Sequence, residues 1–179
     1  AIVMLARVGR SMVCLDDTGK ISAWVPRGDE PLSLANSQPR TQRIPLNKGS
    51  YASMAIFQLW VCYMVQMPKS SPMQAPMRVV NVRVYNPISD DRPFNAISRP
   101  LVIPSSACVN IGPVTCLAVL PAAADRVYLS HESGHLSVWS LSQYVCLGVH
   151  HMFLTPITSM CAVHNMLWFG LRDGFIRVY

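Results

Sequence analysis

Apolar and polar residues alternate with a period of two along most of the chain, and no long stretch has the spacing of an amphipathic helix. Short segments rich in β-branched and aromatic residues are bounded by Gly, Asp, Ser and Pro, which is typical of strands joined by turns. The clearest series follows Pro113 and comprises "VTCLAVLP", "RVYLSHE", "HLSVWSLS" and "YVCLGVHH". The segments "ITSMCAVH", "MLWFGLRD" and "FIRVY" then repeat its first three members. The pattern predicts an all-β chain with a repeated unit.

One nine-residue segment occurs three times, as "DDTGKISAW", "HESGHLSVW" and "LRDGFIRVY". In each copy a glycine lies five residues before a terminal aromatic residue. The pairs are Gly19 with Trp24, Gly134 with Trp139 and Gly174 with Tyr179. Glycine accepts the positive φ of a hairpin turn, and a neighbouring Asp or Ser bonds the turn backbone. We expect the aromatic residues to close the packing between neighbouring sheets. The segments fit generic hairpins of a β-sandwich or the blades of a β-propeller.

Counting predicted strands divides the chain into four units, at 1–46, 51–104, 113–151 and 156–179. The first three units have four strands each, and the last has three. The segment "MVQMPKSSPMQAPMR", at 64–78, separates two strands that a tight turn joins elsewhere, so we predict a flexible insertion there. Propellers close with about 4–8 blades of four strands. The count therefore predicts a partial propeller, half of a seven-bladed one, that is cut before its last fourth strand.

Composition and charge exclude several classes of protein. Hydrophobic residues form 51% of the chain and charged residues 13%, which excludes a disordered chain. The net charge of +6 permits acidic partners, but the basic residues are spread along the chain, so we predict no nucleic-acid binding. The six cysteines form no C-x-x-C pair, and no secretory signal is visible, which indicates free thiols in the cytoplasm. The uncharged stretch Tyr51–Pro68 contains Ser53, Gln58 and Gln66, so we predict strands there and no transmembrane span.

Motifs for catalysis or cofactor binding are missing from the sequence. There is no G-x-S-x-G turn, no P-loop and no dinucleotide-binding glycine motif. The five histidines do not have the spacing of metal ligands, so we predict no metal site in this chain. Because the motifs above are missing, we also predict no bound cofactor and no catalytic residue. Arg40 and Arg43, in "PRTQR", are the first candidates for contact with an acidic peptide or a phosphoinositide headgroup. The alternative is that both are ordinary surface charges that promote solubility.

The middle of the chain carries a more specific signal. "PRTQRIP" at Pro39–Pro45 precedes a strand, then "LWVC" at Leu59–Cys62 and "VRVYNP" at Val82–Pro87. The later segments "VTCLAVL", "DRVYLSHESGHLSVWS", "YVCL" and "ITSMCAVHNMLWFGLRDGFIRVY" follow in order. Together they resemble the N-terminal WD-repeat-like region of fungal and plant inositol polyphosphate 5-phosphatases. The resemblance covers nearly the whole chain apart from 64–78. The Trp-Asp dipeptide that names WD repeats is absent, so the chain resembles a divergent member.

The resemblance implies a protein that removes the 5-phosphate of inositol phosphates or phosphoinositides, with magnesium, in a separate C-terminal domain. The catalytic segments of that family, of the Trp-x-Gly-Asp-x-Asn and Pro-Ala-Trp-Cys-Asp-Arg types, are absent from this chain. "PAAADRVY" is similar to the second type, but Ala123 and Ala124 replace its Trp and Cys. We therefore expect Asp125 and Arg126 to form an ordinary turn between strands.

Three hypotheses on function follow. The first is a non-catalytic scaffold or targeting segment of such a phosphatase, which binds protein partners in the cytoplasm or peripherally at a membrane. The second is a WD-repeat interaction scaffold with no enzymatic domain. The third, that this chain is itself a hydrolase, is disfavoured by the missing motifs.

Overall fold

Fifteen antiparallel strands in four sheets form the described part of the chain, and their number and order confirm the sequence prediction. The structure is a computed structural model that describes residues 1–29, 31–35, 37–67, 78–89, 101–103 and 111–179. Sheet 1 contains β1 (Ile2–Val8), β2 (Ser11–Asp16), β3 (Lys20–Trp24) and β4 (Arg40–Arg43). Sheet 2 contains β5 (Tyr51–Ala55), β6 (Gln58–Gln66), β7 (Arg78–Tyr85) and β8 (Leu101–Val102). Sheet 3 contains β9 (Val114–Val119), β10 (Arg126–His131), β11 (His135–Ser140) and β12 (Cys146–His151). Sheet 4 contains β13 (Ile157–Val163), β14 (Met166–Leu171) and β15 (Ile176–Val178).

Within each sheet, consecutive strands are neighbours, so every sheet is a simple meander. Contacts divide the chain into two compact units. Among the described residues, the first contains 1–29, 31–35, 37–61 and 83–89, and the second contains 62–67, 78–82, 101–103 and 111–179.

The core of the first unit lies where one face of β2 and β3 packs against residues of β6 and β7. Alternate positions on β2 and β3 point to this core, as the period-two pattern predicts. The buried cluster comprises Met4, Val13, Leu15, Ile21, Ala23, Ile44, Leu59, Val61 and Tyr85.

The core of the second unit lies between sheet 3 and sheet 4. Ala118 and Leu136, on one face of sheet 3, pack against the buried side of sheet 4. A hydrogen bond from the Cys116 thiol to the Thr158 carbonyl, with a donor–acceptor distance of 3.7 Å, also joins the two sheets. The sheet 4 residues of the cluster are Ile157, Leu167, Phe169 and Leu171, joined by Phe153 from the preceding loop.

The structure differs from the sequence prediction around the insertion at 64–78. Strand β6 continues to Gln66, and β7 begins at Arg78, so both ends of the predicted insertion are strand residues. Positions 68–77 of the insertion lie outside the described residues. Leu59, Trp60, Val61 and Cys62 are consecutive buried residues, which indicates that β6 is covered on both faces. Burial on both faces gives a nearly continuous apolar run, so the alternation that marks strand ends elsewhere is lost in β6.

Candidate functional site

The three repeated turns share one backbone arrangement. Gly19, Gly134 and Gly174 have φ values of 80°, 80° and 89°, the positive values that the hairpin prediction requires. Each glycine donates its backbone N–H to the carbonyl three residues earlier, with N–O distances of 3.0–3.1 Å. The Gly134 carbonyl also accepts hydrogen bonds from the amides of Met152 and Phe153, at 3.1 Å. The turn glycine of sheet 3 is therefore bonded to the segment that follows the fourth strand.

The aromatic residues of the repeat lie at equivalent places but differ in burial. Trp139 is completely buried in β11, Trp24 at the end of β3 is half-buried, and Tyr179 is exposed. The backbone of Tyr179 extends the pairing of β15 through reciprocal hydrogen bonds with Leu167, at 2.8 and 3.0 Å. Its ring makes edge contacts with Phe153 and Phe169, with centroid distances of 5.8 and 6.0 Å. Tyr179 therefore contributes to the core of the second unit from its margin.

A buried hydrogen-bond network surrounds Trp139. The indole N–H of Trp139 donates to the Ser137 hydroxyl oxygen at 2.9 Å, and that oxygen lies 2.8 Å from Nε2 of His131. The other ring nitrogen of His131 lies 3.3 Å from the Gly112 carbonyl. A neutral imidazole protonated at Nδ1 satisfies all three contacts, since Nδ1–H donates to Gly112 and Nε2 accepts from Ser137. Burial lowers the pKa of His131 to about 4, so the neutral ring predominates at physiological pH.

His131 was not predicted as a core residue from the sequence. "SHESG" has the polar composition of an exposed turn, and histidine alone does not reveal whether it is buried. The available signal was the period of two along β10, because His131 follows the buried residues Val127 and Leu129 at alternate positions. His135 and His151 stack with a ring-centroid distance of 4.5 Å near this turn. Partial burial and the neighbouring His151 lower the pKa of His135. Among the described residues, no group of three or more His, Cys, Asp or Glu side chains is placed to hold a metal ion.

The two arginines predicted to bind an anion lie on opposite faces of β4. Alternation of side chains along a strand separates positions 40 and 43, and their burial differs accordingly. Arg40 is half-buried and donates from its guanidinium to the Ser89 carbonyl at 2.5 Å. Arg43 is exposed, and its Cα lies opposite that of Lys20 on β3. The structure therefore brings Arg43 together with Lys20 and does not bring it together with Arg40.

Asp125 lies in the turn before β10, as the sequence predicts. Its carboxylate accepts hydrogen bonds from the Ser142 amide at 3.0 Å and from the Ser140 hydroxyl at 3.2 Å. These bonds, of which those from Ser142 contribute most, hold the pKa of Asp125 below its ordinary value. The carboxylate therefore stabilises the turn between β11 and β12.

No protein-family model matches the chain. The chain is 26% identical, over 171 residues, to a probable inositol polyphosphate 5-phosphatase of Schizosaccharomyces pombe. The match includes 94% of this chain but spans only 13% of the length of that relative.

Solved structures share the architecture. The β-propeller domain of Cps50 (Swd1) from Myceliophteria thermophila matches 99% of this chain with a TM-score of 0.59 and 16% identity, and the match spans 51% of that domain's chain. KlAtg21, solved in complex with the coiled coil of AgAtg16, matches 99% with a TM-score of 0.54 and 14% identity, over 52% of its chain. The computationally designed protein Ika4 matches the whole chain with a TM-score of 0.53 and 17% identity, over 90% of its own length. These likenesses show that the chain is all-β with a β-propeller fold. No helix among the described residues is long and apolar enough to cross a membrane.

Proposed function

We propose that this chain is a non-catalytic propeller segment that serves as a scaffold or targeting module within an inositol polyphosphate 5-phosphatase. The observation that carries the proposal is the likeness of 94% of the chain to a part amounting to 13% of a probable phosphatase of that class. Most of such a protein lies outside the matched part. In this proposal, a separate C-terminal domain binds magnesium and removes the 5-phosphate of inositol phosphates or phosphoinositides, while the propeller segment contacts a partner protein.

The use of the acidic side chains supports a non-catalytic role for this segment. Hydrolysis of a phosphate ester needs carboxylates for the metal and a group that activates water. Asp16 accepts hydrogen bonds from the amides of Thr18 and Lys20, each at 2.9 Å. Asp125 and Asp173 likewise accept backbone amides in turns. Each of these three carboxylates accepts at least one backbone hydrogen bond in a turn, which supports a role in turn stability for all three.

The catalytic part of the proposal predicts a clear result. The purified 179-residue chain, supplied with magnesium and a 5-phosphorylated inositol, is expected to release no phosphate, whereas the longer natural polypeptide is expected to do so. Colorimetric phosphate release measures both. Turnover by the chain alone that disappears in Asp125→Asn would contradict the proposal. A natural polypeptide without phosphatase activity would favour the second hypothesis.

That second hypothesis is an interaction scaffold with no enzymatic domain. It is supported by the likeness to propeller structures, one of which was solved in complex with a coiled coil. Under either hypothesis we place the chain in the cytoplasm, with peripheral contact to membranes as an option. The matches to Cps50 and KlAtg21 span 51% and 52% of those chains, which supports the proposal that this chain is half of a larger propeller. A ring of seven blades is consistent with that proposal.

Contact with an anionic partner remains a proposal for Arg40 and Arg43, and the two residues are tested separately. Arg43 and Lys20 are like charges directly opposite each other, so a bound anion relieves their repulsion. We expect Arg43→Ala to weaken binding to phosphoinositide-containing vesicles about fivefold, from about 1 kcal/mol per basic residue at a membrane surface. Arg40→Ala is expected to change binding less, because its guanidinium is bonded to Ser89. Arg126→Ala, at another exposed arginine, is the control in vesicle co-sedimentation. Binding unchanged by Arg43→Ala would remove this site.

A further inference from the structure

Two histidines from neighbouring strands meet on sheet 3. His135 is the first residue of β11 and His151 is the last residue of β12, and the register places their Cα atoms directly opposite each other. Their imidazole rings stack with a centroid distance of 4.5 Å and an interplanar angle of 21°. His135 is half-buried and His151 is exposed. The pair therefore lies at the surface, within reach of a small solute.

The Ser133 hydroxyl determines which ring nitrogen of His135 carries the proton. This hydroxyl donates its own proton to the Ile111 carbonyl, which is only an acceptor. The hydroxyl oxygen lies 2.8 Å from Nδ1 of His135, so at that contact it accepts a hydrogen bond from Nδ1–H. Partial burial and the neighbouring His151 lower the pKa of His135, so its ring is neutral at physiological pH. The second nitrogen, Nε2, therefore carries an unprotonated lone pair.

This arrangement is the one in which a histidine binds a metal ion. Metal-binding histidines donate their second ring N–H to an oxygen, which orients the ring and makes the ligand nitrogen more basic. Ser133, itself bonded to Ile111, supplies that oxygen to His135. Two nitrogens bound at about 2.1 Å to one tetrahedral ion lie about 3.4 Å apart. Because His151 is exposed, a rotation of its side chain brings a ring nitrogen to that separation.

We propose that His135 and His151 form a two-histidine binding site for a divalent transition-metal ion such as Zn²⁺, with Nε2 of His135 as the oriented ligand and water at the remaining positions. Imidazole suits Zn²⁺, Cu²⁺ and Ni²⁺, whereas Mg²⁺ and Ca²⁺ prefer oxygen ligands. Within the part of the chain that the structure describes, no group of three or more His, Cys, Asp or Glu side chains could hold a metal, so the protein supplies two ligands.

The proposal departs from the prediction of no metal site, which used the spacing of histidines along the sequence. Spacing does not show that His135 and His151 are cross-strand neighbours, because this depends on the register between β11 and β12. The site is also independent of the proposed phosphatase, since the magnesium of that enzyme belongs to a different domain.

Calorimetric titration of the 179-residue chain with Zn²⁺ tests the site. We expect one Zn²⁺ per chain, and binding at least about tenfold weaker in His151→Asn, which removes an exposed side chain and one of the two ligands. Ser133→Ala keeps both ligands but removes the oxygen that orients His135, so it is expected to weaken binding about tenfold. His150→Asn is the matched control, because His150 is an exposed neighbour on β12 that points to the other face.

Every other result overturns the proposal. A wild-type chain that binds no Zn²⁺ would refute the site directly. Equal affinity of the wild type and His151→Asn would assign the ion to other donors, such as the exposed thiol of Cys161. One Zn²⁺ for every two chains would place the ion between copies. Displacement of Zn²⁺ by an excess of Mg²⁺ would indicate oxygen ligands. Absence of phosphatase activity from the longer natural polypeptide would refute the proposed enzyme without affecting this site.

Discussion

Replacing Gly134 with alanine is expected to destabilise the chain by about 3–5 kcal/mol, one of the largest effects of a single methyl group. The backbone of Gly134 has a φ of 80°, which costs an alanine about 1–2 kcal/mol. The added Cβ would also overlap the Phe153 carbonyl oxygen and lie 2.9 Å from the Thr155 carbonyl oxygen. Both atoms belong to the main chain, so neither moves without disturbing the hydrogen bonds to the Gly134 carbonyl. Urea unfolding followed by tryptophan fluorescence measures the loss.

Gly174→Ala is the matched control for this experiment. Its φ of 89° carries a similar backbone cost, but no described atom lies within 4 Å of the new Cβ. We expect a loss of about 1–2 kcal/mol, so the two variants should differ by at least about 2 kcal/mol. Equal losses in the two variants would show that backbone strain alone sets the cost and that packing at Gly134 adds nothing.

The turns and strands were predictable because their signal is local. A glycine with positive φ, an acidic or hydroxyl side chain beside it and alternating apolar residues act within about ten residues of sequence. Fifteen strands were confirmed on this basis, including β15 after Gly174. The limits of the prediction lie in β6 and β7, where burial on both faces removes the alternation.

The predicted anion-binding residues show a second limit of prediction from sequence. Arg40 and Arg43 are close in sequence, and proximity suggested a shared surface. Their side chains point to opposite faces because Arg43 lies three positions after Arg40, an odd step along a strand. That separation was visible in the sequence once the strand was predicted. The partner that the structure gives Arg43 is Lys20, and its position depends on the register between β3 and β4, which the sequence does not state.

Burial of polar groups depends on still longer-range contacts. His131 and Ser137 lie in a segment whose composition is that of a surface turn, yet both are completely buried. The buried imidazole of His131 has a hydrogen-bond partner in Gly112, which lies nineteen residues before it, and the Ser137 hydroxyl is bonded in turn to His131 and Trp139. Neither periodicity nor composition encodes such a pairing, so the network around Trp139 emerged only from the structure.

This network leads to the second large effect, a loss of stability between about pH 6.5 and pH 4. The pKa of His131 is about 4 in the folded chain, whereas an unfolded histidine has a pKa of about 6.5. The unfolded state therefore binds a proton first as the pH falls, and the equilibrium moves towards unfolding. The contribution of His131 to the free energy of unfolding is fully present above about pH 6.5. Relative to neutral pH, that contribution is lower by about 2 kcal/mol at pH 5 and by about 3 kcal/mol at pH 4. Below that pH both states are protonated, and the loss stops.

The measurement is the difference in unfolding free energy between the wild type and His131→Asn, followed from pH 7.5 to pH 4 by urea titration. Asparagine does not titrate, so the variant is less stable at neutral pH, and the gap should narrow by about 3 kcal/mol on acidification. His135 also has a lowered pKa, but it is present in both proteins, so its contribution cancels to first order. A gap that stays constant across this range would show that His131 accepts its proton equally well in the folded chain, and that its burial beside Ser137 and Trp139 does not exclude the charge.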